Sequence, residues 1–227
     1  MNQTHILLKK AFNKKLPGPY AQNKMAPSLR FTGNELPDPS IARESSVFVL
    51  IYYRNNSYFI PLIKRQKYKG AHSGQISLPG GKQEPIDKTL LHTAYRETYE
   101  EIGIEEKHIR YVGSLSPLFI PNSNFNVTPH VGYINTFPKF IKDHREVEEI
   151  IEMPIKTIFN SSAIKKFSRF INGKIVQAPY YLSGHHQIWG ATAMILSEFA
   201  EVIKSTDFVS TNPLSHFYND CNAQEYR

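Results

Sequence analysis

The residues of this chain best suited to chemistry lie in one short run, Arg96-Glu97-Thr98-Tyr99-Glu100-Glu101-Ile102-Gly103-Ile104. Residues three and four apart share a face of an α-helix, so Glu97, Glu100 and Glu101 crowd one side. Carboxylates packed this closely repel one another and cost helix stability unless cations sit among them. Arg96 neutralises part of that charge. A hard divalent cation, which takes oxygen ligands from carboxylates and substrate phosphates alike, neutralises the rest. Such an ion polarises a phosphoryl oxygen and lowers the pKa of a bound water. One carboxylate can act as general base instead of ligand. Taken alone, the same run reads as a solvated acidic helix face. Gly80-Gly81 upstream tilts the balance, because paired glycines admit close backbone approach, and the Gly81 carbonyl could add an oxygen ligand.

The elements that must hold these residues follow from local signals. Pro85 and Asp87 supply a helix start, with Asp87 as N-cap, and Gly103 supplies a stop. Leu91, Tyr95, Thr98 and Ile102 recur at helical spacing as the buried stripe. Residues 47–53 and 58–64 read as strands joined by the turn-forming Arg54-Asn55-Asn56-Ser57, a hairpin. Residues 67–75 read as loop. Further strands are expected at 111–119, 127–133, 148–153 and 178–182, and an amphipathic helix at 191–203. Residues 1–40 carry Pro17, Pro19, Pro27, Pro37 and Pro39, which oppose long regular elements; an extended arm with a short helix near 6–12 is expected. Strands and helices mixed along the chain favour a mixed sheet covered by helices, an α/β (α+β) fold.

Composition narrows the class. With 227 residues, 41% of them hydrophobic, the chain can bury one good core. No apolar run approaches the roughly 20 residues of a membrane span, and the basic N-terminus does not read as a secretory signal. The one cysteine, Cys221, allows no intramolecular disulfide and no cysteine metal cluster, which fits a cytoplasmic protein. The net charge of +7 suits an anionic partner, but the bases are dispersed and no nucleic-acid motif is present. Ser73 and Cys221 have no paired base in sequence, so a covalent nucleophile is not expected.

Arg-Glu-x-x-Glu-Glu-x-Gly-hydrophobic after Gly-Gly and a helix start resembles the Nudix box, G-x5-E-x7-R-E-U-x-E-E-x-G-U. The chain departs from it by one extra residue between Gly81 and Arg96, and Asp87 is the nearest acid to the position of the first glutamate. That extra residue resembles the coenzyme A (CoA) pyrophosphatase subgroup. So do Leu62-Ile63-Lys64-Arg65-Gln66, the stretch from His72-Ser73-Gly74-Gln75 to Pro79-Gly80-Gly81-Lys82, the loop from Pro121 to Pro129 with Ser123 and Phe125, and Ile188-Trp189-Gly190-Ala191-Thr192-Ala193. Gln66 and Leu78 stand where the subgroup has a small residue and Phe.

The resemblance implies a Nudix fold, a mixed β-sheet sandwiched between helices, over residues 45–204, with an N-terminal extension over 1–44 and a C-terminal tail over 205–227. It implies hydrolysis of the CoA diphosphate to 3′,5′-ADP and 4′-phosphopantetheine, with Mg²⁺ or Mn²⁺ as cofactor. Glu97, Glu100, Glu101 and the Gly81 carbonyl would hold the metal and Arg96 would orient the glutamates. Glu146 or Glu149 would supply a further acid. Arg65, His72, Gln75, Lys82, Ser123 and Phe125 would meet substrate, although each also has a structural reading, Phe125 as core and Lys82 as surface. Trp189 reads as core, and His185 and His186 as loop. The expected partner is a CoA-like nucleotide, with neither nucleic acid nor membrane, and a homodimer stays open. A Nudix diphosphatase for ADP-ribose, a dinucleotide or a nucleoside triphosphate is the alternative; a non-catalytic nucleotide-sensing module is another, which the intact glutamates disfavour.

Overall fold

The computed structural model describes residues 3–33, 35, 37–66 and 74–204. Its centre is β1 (Arg43–Arg54). Phe48, Leu50 and Tyr52 pack with one hydrophobic cluster and the alternate Val49 and Ile51 with another. A strand buried on both faces must have helices on both sides. Asn55 and Asn56 take positive φ of 47° and 59°, as a two-residue hairpin turn requires, and return the chain as β2 (Ser57–Arg65).

The two strands pair only near that turn, over 52–54 and 57–59. Further along they part, and the next segment fills the gap. There β3 (Ile76–Ser77) pairs with β2 at Ile63 and Lys64, and β4 (Gly80–Lys82) pairs with β1 at Ser45, Ser46 and Val47. On the far side of β1, β7 (Phe125–Ile134) runs parallel to it from the Arg43–Phe125 pair to Tyr52–Ile134. The outer edge of β7 carries β5 (Ile109–Ser114) and β6 (Leu118–Ile120), and β8 (Val147–Pro154) flanks β2. The single strand expected at 111–119 is therefore two. Pro117, which has no N–H to give a ladder, falls in the break.

Helix α3 (Leu90–Ile102) covers one face of the sheet through Ala94 and Ile102. The opposite face carries α4 (Gly190–Lys204) and two N-terminal helices, α1 (Gln3–Ala11) and α2 (Pro19–Gln22), with Leu8, Met25, Ile195 and Phe199 in one core with Val49 and Ile51. The fold is thus the expected mixed sheet between helices. The N-terminal residues lie against the core instead of extending from it. Their clasp is Glu198, fully buried on α4, whose carboxylate accepts from Gly18 N at 3.1 Å, Gln22 Nε2 at 2.8 Å and Ser116 N at 3.2 Å.

A second sheet of β9 (Ile164–Ile171), β10 (Lys174–Ser183) and β11 (His186–Trp189) packs beside α4. The short strand expected at 178–182 is the end of β10, and His186 belongs to β11, not to a loop. Among the described residues no helix is long and apolar enough to cross a membrane.

Candidate active site

The β4 edge and the last turns of α3 meet at Gly80-Gly81. Gly80 has φ of +148°, and a Cβ there would lie 2.2 Å from the Ser46 carbonyl oxygen; only glycine lets β4 approach β1 this closely. Its N–H donates to Glu101 Oε2 at 2.8 Å, and its carbonyl accepts from Arg65 Nη2 at 2.9 Å. Arg65 Nη2 also stands 3.3 Å from Glu101 Oε1. One residue thus locks a carboxylate and a guanidinium together. Glu101 is 1% exposed, and burial, against the pull of Arg65 and of the Gly80 N–H, pushes its pKa up to about 8. Gly81 is glycine for another reason. A Cβ there would lie 2.4 Å from the Glu97 carboxyl carbon and 2.5 Å from each of its oxygens, so the carboxylate rests directly on the main chain.

Arg96 organises the remainder. Its Nε and Nη2 fork Asp87 at 3.0 and 2.9 Å, Nη1 reaches Glu97 Oε1 at 2.8 Å and Glu100 Oε2 at 3.0 Å, and Nη2 also donates to the Lys82 carbonyl at 3.1 Å. Asp87 further accepts from Glu84 N and Thr93 Oγ1. This network, led by Arg96, holds the Asp87 carboxyl down to about 2. Asp87 is therefore not the N-cap. Thr89 is, accepting from His92 N at 3.2 Å, because Asp87 is already engaged by Arg96. The buried stripe is also rotated from expectation: Thr93, Ala94, Thr98, Glu101 and Ile102 are buried, while Leu91 and Tyr95 are half-buried.

The three box glutamates differ in setting. Glu101 lies in the interior, Glu97 is 14% exposed at the side chain, and Glu100 is 52% exposed. Burial raises the Glu97 pKa as well. Among the described residues, no three acidic, imidazole or thiol side chains stand close enough together to hold an ion as placed. The expected single cluster is instead divided, with Glu97 and Glu100 on Arg96 and Glu101 on Gly80 and Arg65. The residues nevertheless fit a hard cation. Every donor is an oxygen, Glu97 lies against Gly81, and Glu101 Oε1 is buried without a hydrogen-bond partner.

Of the two downstream candidates, Glu149 Oε1 lies 3.3 Å from His186 Nε2. Glu146 is exposed, its carbonyl accepts from Gln66 N at 2.9 Å, and its charge contributes to the raised Glu101 pKa. His72 lies outside the described residues. Arg65, Gln75, Gly81, Lys82, Ser123 and Phe125 all line one cleft of about 1020 Å³. So does Trp189, half-buried, where a core position was expected. Sequence reasoning missed the remaining walls: Pro27 and Leu29 to Gly33 from the N-terminal stretch, Ile171, Asn172 and Val176 from β9, β10 and the turn between them, and Met194 and Ile195 from α4. Ser28 N donates to the Gln177 carbonyl at 2.7 Å and Thr32 N to Asn122 Oδ1 at 3.1 Å, so residues 28–32 bridge the second sheet and the β6–β7 turn.

Comparison with known proteins matches residues 42–160 to the NUDIX domain. The chain is 32% identical over 181 residues to the uncharacterized Nudix hydrolase NudL of Pectobacterium atrosepticum, covering 79% of this chain and 88% of that one. It is 30% identical to its namesake in Yersinia pestis, covering 74% and 89%. Among solved structures, a MutT/nudix family protein from Enterococcus faecalis aligns with a TM-score of 0.50 at 18% identity, covering 80% of this chain and 68% of that one.

Proposed function

This chain belongs to the Nudix hydrolase family, enzymes that act on diphosphate bonds with divalent metal ions, and from that premise we propose that it cleaves the diphosphate of CoA or its derivatives to 3′,5′-ADP and 4′-phosphopantetheine. One juxtaposition carries this reading: Glu97 and Glu101 stand against Gly81 and Gly80, which wall a cleft roomy enough for a large nucleotide.

Glu97, Glu100, Glu101 and the Gly81 carbonyl are the residues that would hold the ion, Mg²⁺ or Mn²⁺ by the all-oxygen donor set. Bound there, it would supply charge to the phosphoryl oxygens and acidity to a water. Arg96 holds Glu97 and Glu100 in place, so their rotamer freedom is lost before substrate arrives. Arg65 and Lys82, both on the cleft wall, place positive charge beside the diphosphate. Glu146, exposed and close enough to raise the proton affinity of Glu101, is the favoured base. It takes a proton from water as the new P–O bond forms and the bridging P–O bond breaks, leaving both products as phosphate monoesters.

The deciding experiment is incubation with CoA and Mg²⁺ in H₂¹⁸O, with products weighed by mass spectrometry. One ¹⁸O in one of two phosphomonoester products is expected, and Glu100→Gln should fold normally yet lose turnover. Faster cleavage of ADP-ribose than of CoA at matched concentration would reassign the substrate.

A further inference from the structure

Two arginines stand apart from the catalytic network. Arg54, Arg65 and Arg96 each pair with a carboxylate. Arg30 and Arg43 have no carboxylate partner among the described residues, yet both line the cleft. Both are tied to the β6–β7 hairpin. Arg30 Nη2 donates to the Phe119 carbonyl and Arg43 Nη2 to the Ser123 carbonyl at 2.8 Å. The Arg43 guanidinium also lies over the Phe125 ring, 4.1 Å from its centroid. Asn122 fixes the backbone beside Arg30, donating to its carbonyl at 3.2 Å while accepting from Thr32 N. Anchoring by neutral carbonyls leaves most of their N–H donors unspent.

Strand geometry sets the distance from the scissile site. Arg43, Ser45 and Val47 alternate along β1 and all line the cleft. Ser46 pairs with Gly81. Arg43 is three residues before Ser46, on the order of 10 Å along the strand. A sugar between two phosphates, met by the reach of an arginine side chain, spans such a gap.

We propose that Arg30 and Arg43 form a second anion subsite, which binds a phosphate monoester on the sugar of the substrate, separate from the diphosphate that is cut. This rests on the diphosphatase reading above and narrows it to nucleotides phosphorylated on the ribose. Each charge-assisted contact corresponds to roughly a tenfold or larger change in affinity. The test compares CoA with 3′-dephospho-CoA in the wild type, Arg30→Gln, Arg43→Gln and the double variant, with melting temperature as the folding control. The wild type should favour CoA at least about tenfold in kcat/KM, mainly through KM. The double variant should close that gap. Equal KM for both substrates in the wild type, or a gap that survives in the double variant, overturns the subsite and leaves the diphosphatase intact. If neither compound is cleaved, the diphosphatase reading falls and calorimetry decides the subsite. Adenosine 3′,5′-bisphosphate should then bind the wild type about tenfold tighter than adenosine 5′-monophosphate, and equal affinities overturn the proposal.

Discussion

Adding one methyl group at Gly81 separates catalysis from folding. A Cβ at this position would stand 2.4 Å from the Glu97 carboxyl carbon, where ordinary contact begins near 3.4 Å. The Gly81 backbone is not in the left-handed region, so alanine is conformationally tolerated and the carboxylate must retreat by about 1 Å, the difference of those distances. A shift of that size in a catalytic group costs about 100-fold in rate, or ~3 kcal/mol of barrier. The carboxylate is the free end of a side chain, so the fold should lose only about 1 kcal/mol. Gly80→Ala is the contrast. Its Cβ would meet Ser46 O at 2.2 Å and Val47 Cα at 2.5 Å. These are backbone atoms of the central strand and cannot give way, so stability should fall by at least about 3 kcal/mol. The assay is kcat with CoA and saturating Mg²⁺, beside urea denaturation of the same preparations. Gly81→Ala with more than half the wild-type kcat would refute the claim that the main chain sets the Glu97 carboxylate.

The remaining expectations concern charge and the N-terminal clasp. Asp87, held at about 2 against an ordinary 3.8, contributes stability present above pH 4 and lost as pH falls through 2, about 2 kcal/mol in all; Asp87→Asn should melt lower than wild type at pH 6, with the gap closing near pH 2. Glu101, raised to about 8 from 4.5, acts in the opposite sense. The stability linked to its proton is complete below 4.5 and lost as pH rises through 8, so Glu101→Gln, measured without divalent ions, should flatten that decline and melt above wild type at pH 9 while losing turnover. A Glu101→Gln profile parallel to wild type would assign the decline to other groups. Glu198→Ala strands three donors, those of Gly18 and Gln22 buried and that of Ser116 half-buried, at roughly 1–3 kcal/mol each; urea denaturation should register a loss of at least about 3 kcal/mol, and an unchanged midpoint would show that the clasp is not needed.

Much of this arrangement was legible locally. The stop at Gly103, whose φ is +74°, and the Asn-Asn turn follow from single-residue conformational preference, and the hairpin and α3 from hydrophobic spacing. What failed depended on partners distant in sequence. Asp87 has the chemistry of a cap, but a guanidinium nine residues on competes for it and wins. Glu101 reads as surface charge beside Glu100, and only the Gly80 N–H and Arg65 make its burial tolerable. β9 was missed because Lys165, Lys166 and Arg169 interrupt any apolar alternation, and most of the strand is exposed. The prolines before residue 40 correctly opposed long helices, but nothing local says that Gly18 and Gln22 find a buried carboxylate 176 or more positions later.

The cleft is assembled from two different sources. The end proposed to cut, with Arg65, Gly80, Gly81 and Lys82, comes from the matched segment, 42–160, whereas Leu29, Phe31, Val176, Met194 and Ile195 on its walls come from before and after it. Selection on the flanks can therefore exchange one cargo for another without disturbing the blade. Substitutions at Leu29 or Phe31 would remodel a wall and leave the glutamates and the Glu198 clasp in place. On the proposed reading, discrimination among nucleotides would then change before the capacity to sever them.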